Sequence, residues 1–222
     1  MGKVKLARMY SGNIVDGLLF YLGLVVLLTF HEFAHAWVAW LCGDDTARLQ
    51  GRLSINPIVH IDPIGTILFP LLMIFTPLGG FLIGWAKPVP INLANLRSPV
   101  RDDILIAMAG PAMNLLLAVV LVIMARIGLM FGSADVVIVF MQMAELSLLL
   151  CFFNLVPIPP LDGSHVLRNF IGMSWETYSM LCRYGIIGVY IAMRIPFIRN
   201  TVMKMTEGTL TFLGNCFHVP LY

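Results

Sequence analysis

The sequence predicts an all-α polytopic membrane protein, and two observations carry that prediction. Of its 222 residues, 59% are hydrophobic and only 12% charged, against roughly 45–50% apolar and about 25% charged in soluble domains. The apolar residues are also gathered into stretches of the length, about 20 residues, that a helix needs to cross roughly 30 Å of hydrocarbon. A mean hydropathy of +0.89 excludes a disordered segment, and a net charge of +2 without a basic patch excludes a nucleic-acid binder. Cys42, Cys151, Cys182 and Cys216 form no CxxC pair, so they read as reduced packing residues rather than a disulfide scaffold.

Four stretches qualify in chain order. Residues 14–42 carry few ionisable groups outside one cluster, residues 64–86 and 104–125 carry none, and residues 136–161 carry only Glu145. A fifth, residues 177–198, is weaker, because Arg183 and Arg194 would have to reach the two interfaces. About four to six membrane-embedded helical segments are therefore expected. The link 126–135 is short and turns at Phe131-Gly132-Ser133. Residues 43–63 hold the alternating run Leu49-Gln50-Gly51-Arg52-Leu53-Ser54-Ile55-Asn56-Pro57, which reads as a short membrane-associated β ribbon. An open strand edge cannot face lipid, so the ribbon is expected in the interface or against the helices. Lys3, Lys5 and Arg8 before residues 17–30 resemble a secretory signal, with Ala34-His35-Ala36 as a nominal cleavage site. Cleavage there would discard the most informative motif of the chain, so the stretch is expected to stay as the first helix.

That motif is His31-Glu32-Phe33-Ala34-His35. On a helix, residues i and i+4 share a face, so both imidazoles can reach one metal ion while Glu32 stands beside it. In zinc hydrolases a glutamate so placed takes a proton from a water whose pKa the metal has lowered to near 7. Three ionisable residues within five, deep in an apolar span, are costly to bury, and such groups mark function. Zinc would need a third protein ligand and one open position. His60, Asp62, Asp162, His165 and Glu145 are the candidates. Asp162 is the best placed, because Val156-Pro157-Ile158-Pro159-Pro160-Leu161 breaks the fourth stretch and Gly163 permits a sharp turn. A carboxylate beside broken backbone at membrane depth makes sense where it faces a polar cavity. Capping of a following helix by Asp162 is the rival role.

His31-Glu32-x-x-His35, Gly110-Pro111-x-x-Asn114 and Asn154-Leu155-x-Pro157-x-Pro159-Pro160-Leu161-Asp162-Gly163 together resemble the site-2 protease family of intramembrane zinc metallopeptidases, in the family's order. The resemblance implies one zinc ion per chain held by His31, His35 and Asp162, with Glu32 as general base. It gives Asn114 the task of holding the substrate backbone or a developing oxyanion, which suits an amide donor aimed at negative charge. Members of the family often carry PDZ or CBS modules. Here the link 126–135 and the tail beyond Ile198 are too short for them, so residues 1–222 are expected as one membrane-embedded peptidase domain of minimal form, with a catalytic core at about 14–170 and a C-terminal helix and tail at 171–222. The implied partners are a substrate helix of a membrane protein, the lipid bilayer and a regulatory membrane partner. The implied location is a bacterial or archaeal cell membrane, with the metal toward the cytoplasm.

By the same resemblance, residues 43–63 would present an unwound substrate to the metal, and a strand edge suits that task through β-augmentation. His60 and Asp62 lie just beyond, where an interfacial turn competes with a role in orienting a ligand histidine. Topology is constrained by depth. His31 lies about 18 Å of helix rise before Gly43, so the metal is nearer the end from which the first helix exits, and Asp162 must meet it there. One stretch therefore enters and returns; residues 64–86, broken by Pro70, Pro77, Gly79 and Gly80, are the candidate, with a fold-back at 157–161 as the alternative. Basic residues divide evenly between the two sides and do not fix the orientation. Glu145 reads as lining a water path or as pairing at a rim, and Lys87 beside Trp85 as an interfacial anchor. The alternative function is a metal transporter or an inactive helix-binding relative. A transporter would spread ligands along a path and often repeat its halves, whereas these candidates gather at one depth. Two imidazoles and a carboxylate would also accept divalent ions other than zinc.

Overall fold

In hydrocarbon a backbone N–H or C=O has no water to bond, so a single apolar stretch that crosses the bilayer satisfies its own backbone as a helix. The computed structural model describes residues 14–75 and 84–220. Lys3, Lys5 and Arg8, and Pro77, Gly79 and Gly80 of the proposed return, lie outside the described residues. The helices are α1 (Ile14–Leu41), α2 (Thr46–Leu49), α3 (Phe69–Phe75), α4 (Pro99–Met130), α5 (Ala134–Asn154), α6 (Asp162–Phe170), α7 (Trp175–Arg183), α8 (Gly185–Arg194) and α9 (Pro196–Cys216). Three of them, α1, α4 and α5, are long and apolar enough to cross a membrane, and α8 with α9, bent by 83°, makes a fourth only as one broken span. The fifth stretch is thus not a single helix: it divides at Tyr184 and again at Ile195. The region expected as a tail instead forms α9, whose Leu210 and Leu213 enter the core.

The β ribbon is corrected. Among the described residues there is no strand, and residues 43–63 fold as α2, a 3₁₀ turn at Pro57–His60 and a π-type turn that begins at Pro63. The reason is local satisfaction of the backbone. Arg52 N–H donates to the Ala47 carbonyl at 2.8 Å and Gly51 N–H to Arg48 at 3.0 Å, and the Asn56 side chain accepts from Ile58 N–H. Leu49, Ile55 and Ile58 all remain exposed, so the alternation marks outward-facing side chains rather than a pleat packed on one side.

The long helices pack through small residues, which let backbones approach closely where lipid removes the hydrophobic drive for association. Ala118, Val122 and Ala125 of α4 meet Val137, Ala144 and Leu148 of α5 and Leu210 of α9. Leu24, Leu27 and Leu28 of α1 pack with Leu146 and Ala86, and Ala39 and Cys42 pack with Ile106 and Leu96. The two ends of the second stretch lie side by side: Trp85 N–H donates to the Gly65 carbonyl at 3.2 Å and Thr66 Oγ1 donates to the Trp85 carbonyl at 2.8 Å.

The exit of α1 is tied down by Asp44, whose buried carboxylate accepts from Thr46, from Asn92 N–H at 2.7 Å and from Asn95 Nδ2 at 2.9 Å. Burial opposes the charge, but these hydrogen bonds outweigh it and hold the carboxyl below the usual carboxylate range. A lowered folded-state pKa adds stability that is complete above the unfolded value, about 3.9, and is lost as the pH falls through the folded value. Asp44→Ala is expected to cost about 1–3 kcal/mol at neutral pH. In thermal denaturation in detergent, the gap between wild type and variant should narrow below about pH 4; a constant gap would contradict the assignment.

Candidate metal centre

The helical spacing of His31 and His35 places both rings on one face of α1, with Nε2 atoms 3.0 Å apart and ring planes at 79°. Both side chains are buried. Asp162, the first residue of α6, reaches the same point: its Oδ2 lies 3.1 Å from His31 Nε2 and its Oδ1 3.4 Å from His35 Nε2. Ligand atoms of the three residues all fall within 4.8 Å of one another, the one such group of three or more His, Cys, Asp or Glu among the described residues. Asp162 does not cap α6; Leu161 holds the N-cap position. Gly163 allows α6 to begin so abruptly after the break, because a Cβ there would collide with the Leu155 carbonyl.

The outer faces of the imidazoles decide what the inner faces can do. His35 Nδ1 lies 2.7 Å from the Ile106 carbonyl. A carbonyl only accepts, so the proton sits on Nδ1 and Nε2 offers a lone pair. His31 Nδ1 is 3.1 Å from the side-chain amide of Asn114, whose other polar atom, Oδ1, is buried without a partner. Rotating that amide by half a turn, an isosteric change, lets its oxygen accept from His31 Nδ1–H. Both Nε2 lone pairs then face each other and two carboxylate oxygens, of which Oδ2 is buried with no hydrogen-bond partner. Only a shared positive charge makes that cluster favourable in a medium of low dielectric, so the donor set fits a divalent metal ion. α4 closes over it at Gly110, where a Cβ would run into Nε2 of both imidazoles.

Glu32 is partly buried and its Oε2 accepts from Val89 N–H at 3.1 Å. Val89 lies in a segment without regular secondary structure, between Pro88 and Pro90. Arg52 donates to the Lys87 and Pro88 carbonyls, and Lys87 N–H donates to the His60 carbonyl at 2.9 Å. Asn114, expected to hold substrate, is fully buried with its amide on His31. The other candidate ligands lie elsewhere: His60 Nε2 donates to the Ser54 carbonyl at 2.7 Å, Asp62 accepts from Ile64 and Gly65 N–H, His165 pairs with Asp103 at 3.0 Å, and Glu145 is buried on α5. Lys87 is exposed. Sequence reasoning missed Ile106, Val89, Arg52 and Asp103. Only the spacing of Asp103, Ile106, Gly110 and Asn114 along one face of α4 offered a signal.

Gly110→Ala tests the closure. Overpacking of about 1–3 kcal/mol is expected to weaken zinc binding roughly ten- to hundredfold, read by chelator competition on purified protein; wild-type affinity would contradict the closeness of α4 to the imidazoles.

These residues lie on a part of the chain with known kin. The family model described as Peptidase family M50 matches residues 19–132 and 130–193. The chain is 42% identical over 155 residues to "Putative zinc metalloprotease YwhC" of Bacillus subtilis, covering 67% of each chain. It is 30% identical over 200 residues to "Putative zinc metalloprotease Rip2" of Mycolicibacterium smegmatis, covering 86% of this chain and 73% of that one. No solved structure matches the chain significantly. The matched residues take in both histidines of α1, the closing face of α4 and Asp162, and the chain belongs to peptidase family M50, the site-2 protease family.

Proposed function

We propose that this metalloendopeptidase cleaves membrane-spanning segments of other proteins within or near the bilayer. The observation that supports this reading best is the convergence of His31, His35 and Asp162 on one point, beside helices that only a bilayer would solvate. Zinc is the cofactor. His31, His35 and Asp162 hold it, and when bound it acts as a Lewis acid that lowers the pKa of water to near 7 and polarises a peptide carbonyl. Ile106 and Asn114 fix the tautomers of the two histidines, so that Nε2 of each faces inward. Glu32 takes the proton from the attacking water and returns it to the leaving amine. The Val89 N–H orients one Glu32 oxygen and leaves the other for that task.

Residues 64–86 enter and return on one side, a reading supported by the pairing of Trp85 with Gly65 and Thr66. With three long helices and that return, the metal lies nearer the side on which α1 exits, which we assign to the cytoplasm after the family. A substrate helix must unwind there, since its peptide bonds are otherwise shielded by their own hydrogen bonds.

Glu32→Gln should lower cleavage of a reconstituted single-span substrate at least about 100-fold with zinc content unchanged, whereas Asp162→Ala should lose zinc as well as activity. Undiminished cleavage by Glu32→Gln would remove the mechanism, and metal flux into vesicles without cleavage would favour transport instead. Cysteines placed at Phe75 and Gly84 should be labelled from the same side of sealed vesicles; labelling from opposite sides would defeat the return.

A further inference from the structure

We propose that a buried polar latch between α4 and α6, centred on Asp103, positions Asp162 for the metal. This rests on the reading of Asp162 as a ligand. Asp103 is 2% exposed on the first turns of α4. Its Oδ1 accepts from His165 Nδ1 at 3.0 Å, and its Oδ2 accepts from Arg168 Nη2 at 3.2 Å and from Asn169 Nδ2. His165 and Asn169 stand three and seven residues after Asp162, on the same face of α6. One helix face thus carries the ligand at its start and the latch along its length.

Apolar burial does not hold α6 in place. At nine residues it is too short to be stable alone. Its residues that are buried are Gly163, Ser164 and Arg168, while Phe170 is 89% exposed. What fastens it is polar. The Arg168 guanidinium lies over the rings of Trp175 at 5.0 Å and Tyr178 at 5.5 Å, and Ser164 Oγ shares a hydrogen bond with the Tyr178 hydroxyl at 2.8 Å. On the other side of the contact, α4 presents Asp103 to α6 and, further along the same face, Ile106, Gly110 and Asn114 to the imidazoles. The latch therefore sets α6 in register on the very helix that orients the two histidines. A slip of α6 by one residue moves Asp162 by about 1.5 Å along the axis and turns it by about 100°, more than a metal–ligand bond tolerates.

The test is a double-mutant cycle on the full chain in detergent, with cobalt(II) as the probe metal, read by affinity and by visible d–d absorption. Asp103→Asn should weaken cobalt binding about 10- to 100-fold and shift the absorption toward that of Asp162→Ala. In the Asp162→Ala background, adding Asp103→Asn should change affinity by less than about twofold, because the residue it acts through is gone. Should Asp103→Asn not fold, Asn169→Ala, which removes one donor of three, carries the same cycle with a smaller loss. Wild-type affinity and spectrum in the latch variants, or a full additive loss in the Asp162→Ala background, would overturn the latch while leaving Asp162 a ligand. Wild-type binding by Asp162→Ala alone would overturn the ligand reading, and the latch with it.

Discussion

Two imidazole nitrogens 3.0 Å apart, with a carboxylate closing the same space, form the contact on which the rest of the structure depends. In water such a cluster would be unremarked. Within a bundle of apolar helices, lone pairs and a negative charge held together repel unless a cation joins them. Each outer hydrogen bond reinforces that demand. The Ile106 carbonyl forces the His35 proton outward, and the Asn114 side chain, turned with its oxygen toward the ring, does the same for His31, on a backbone whose carbonyl accepts from Ser147 Oγ at 2.7 Å. The protein gathers these polar groups at one point and surrounds them with helix contacts made by alanine, valine and leucine.

α4 is the element through which these demands are coordinated. Asp103, Ile106, Gly110 and Asn114 follow one another at intervals of three, four and four, so a single stripe of the helix meets α6, His35, both rings and His31 in turn. Further along, the same stripe packs on α5 through Ala118, Val122 and Ala125. The centre is consequently built in two mechanical parts. α1, α4 and α5 form an apolar platform whose close contacts resist deformation, whereas α6 is fastened to α4 by polar contacts of His165, Arg168 and Asn169 with Asp103 and to α7 by the Arg168 guanidinium over Trp175. On the proposed latch, the position of Asp162 is governed by electrostatics rather than by packing.

The sequence shows those parts of the site that local rules govern. Histidines four apart on a helix must share a face, and a carboxylate after a proline-rich break has to face something polar, so His31, His35 and Asp162 could be singled out before any fold was known. Tertiary partners could not. The Val89 N–H meets Glu32 across 57 positions of chain, and the Ile106 carbonyl meets His35 across 71; both are backbone groups, which every residue carries and no composition betrays. The three long helices were legible from apolar length. The ribbon was misread because alternation of apolar and polar residues arises as readily from a series of local turns with outward-facing side chains, as at Leu49, Ile55 and Ile58. α9 was missed for the opposite reason: Arg199, Lys204 and Glu207 dilute its hydropathy, though Leu210 and Leu213 bury well.

X-ray absorption at the zinc edge of the purified chain tests the central claim most directly, since it counts the atoms bound to the ion. The account predicts a four-coordinate centre of nitrogen and oxygen at about 2.0–2.2 Å, with two imidazole scattering patterns, one of which disappears in His35→Ala. A sulfur shell near 2.3 Å, or a single imidazole in the wild-type protein, would contradict it.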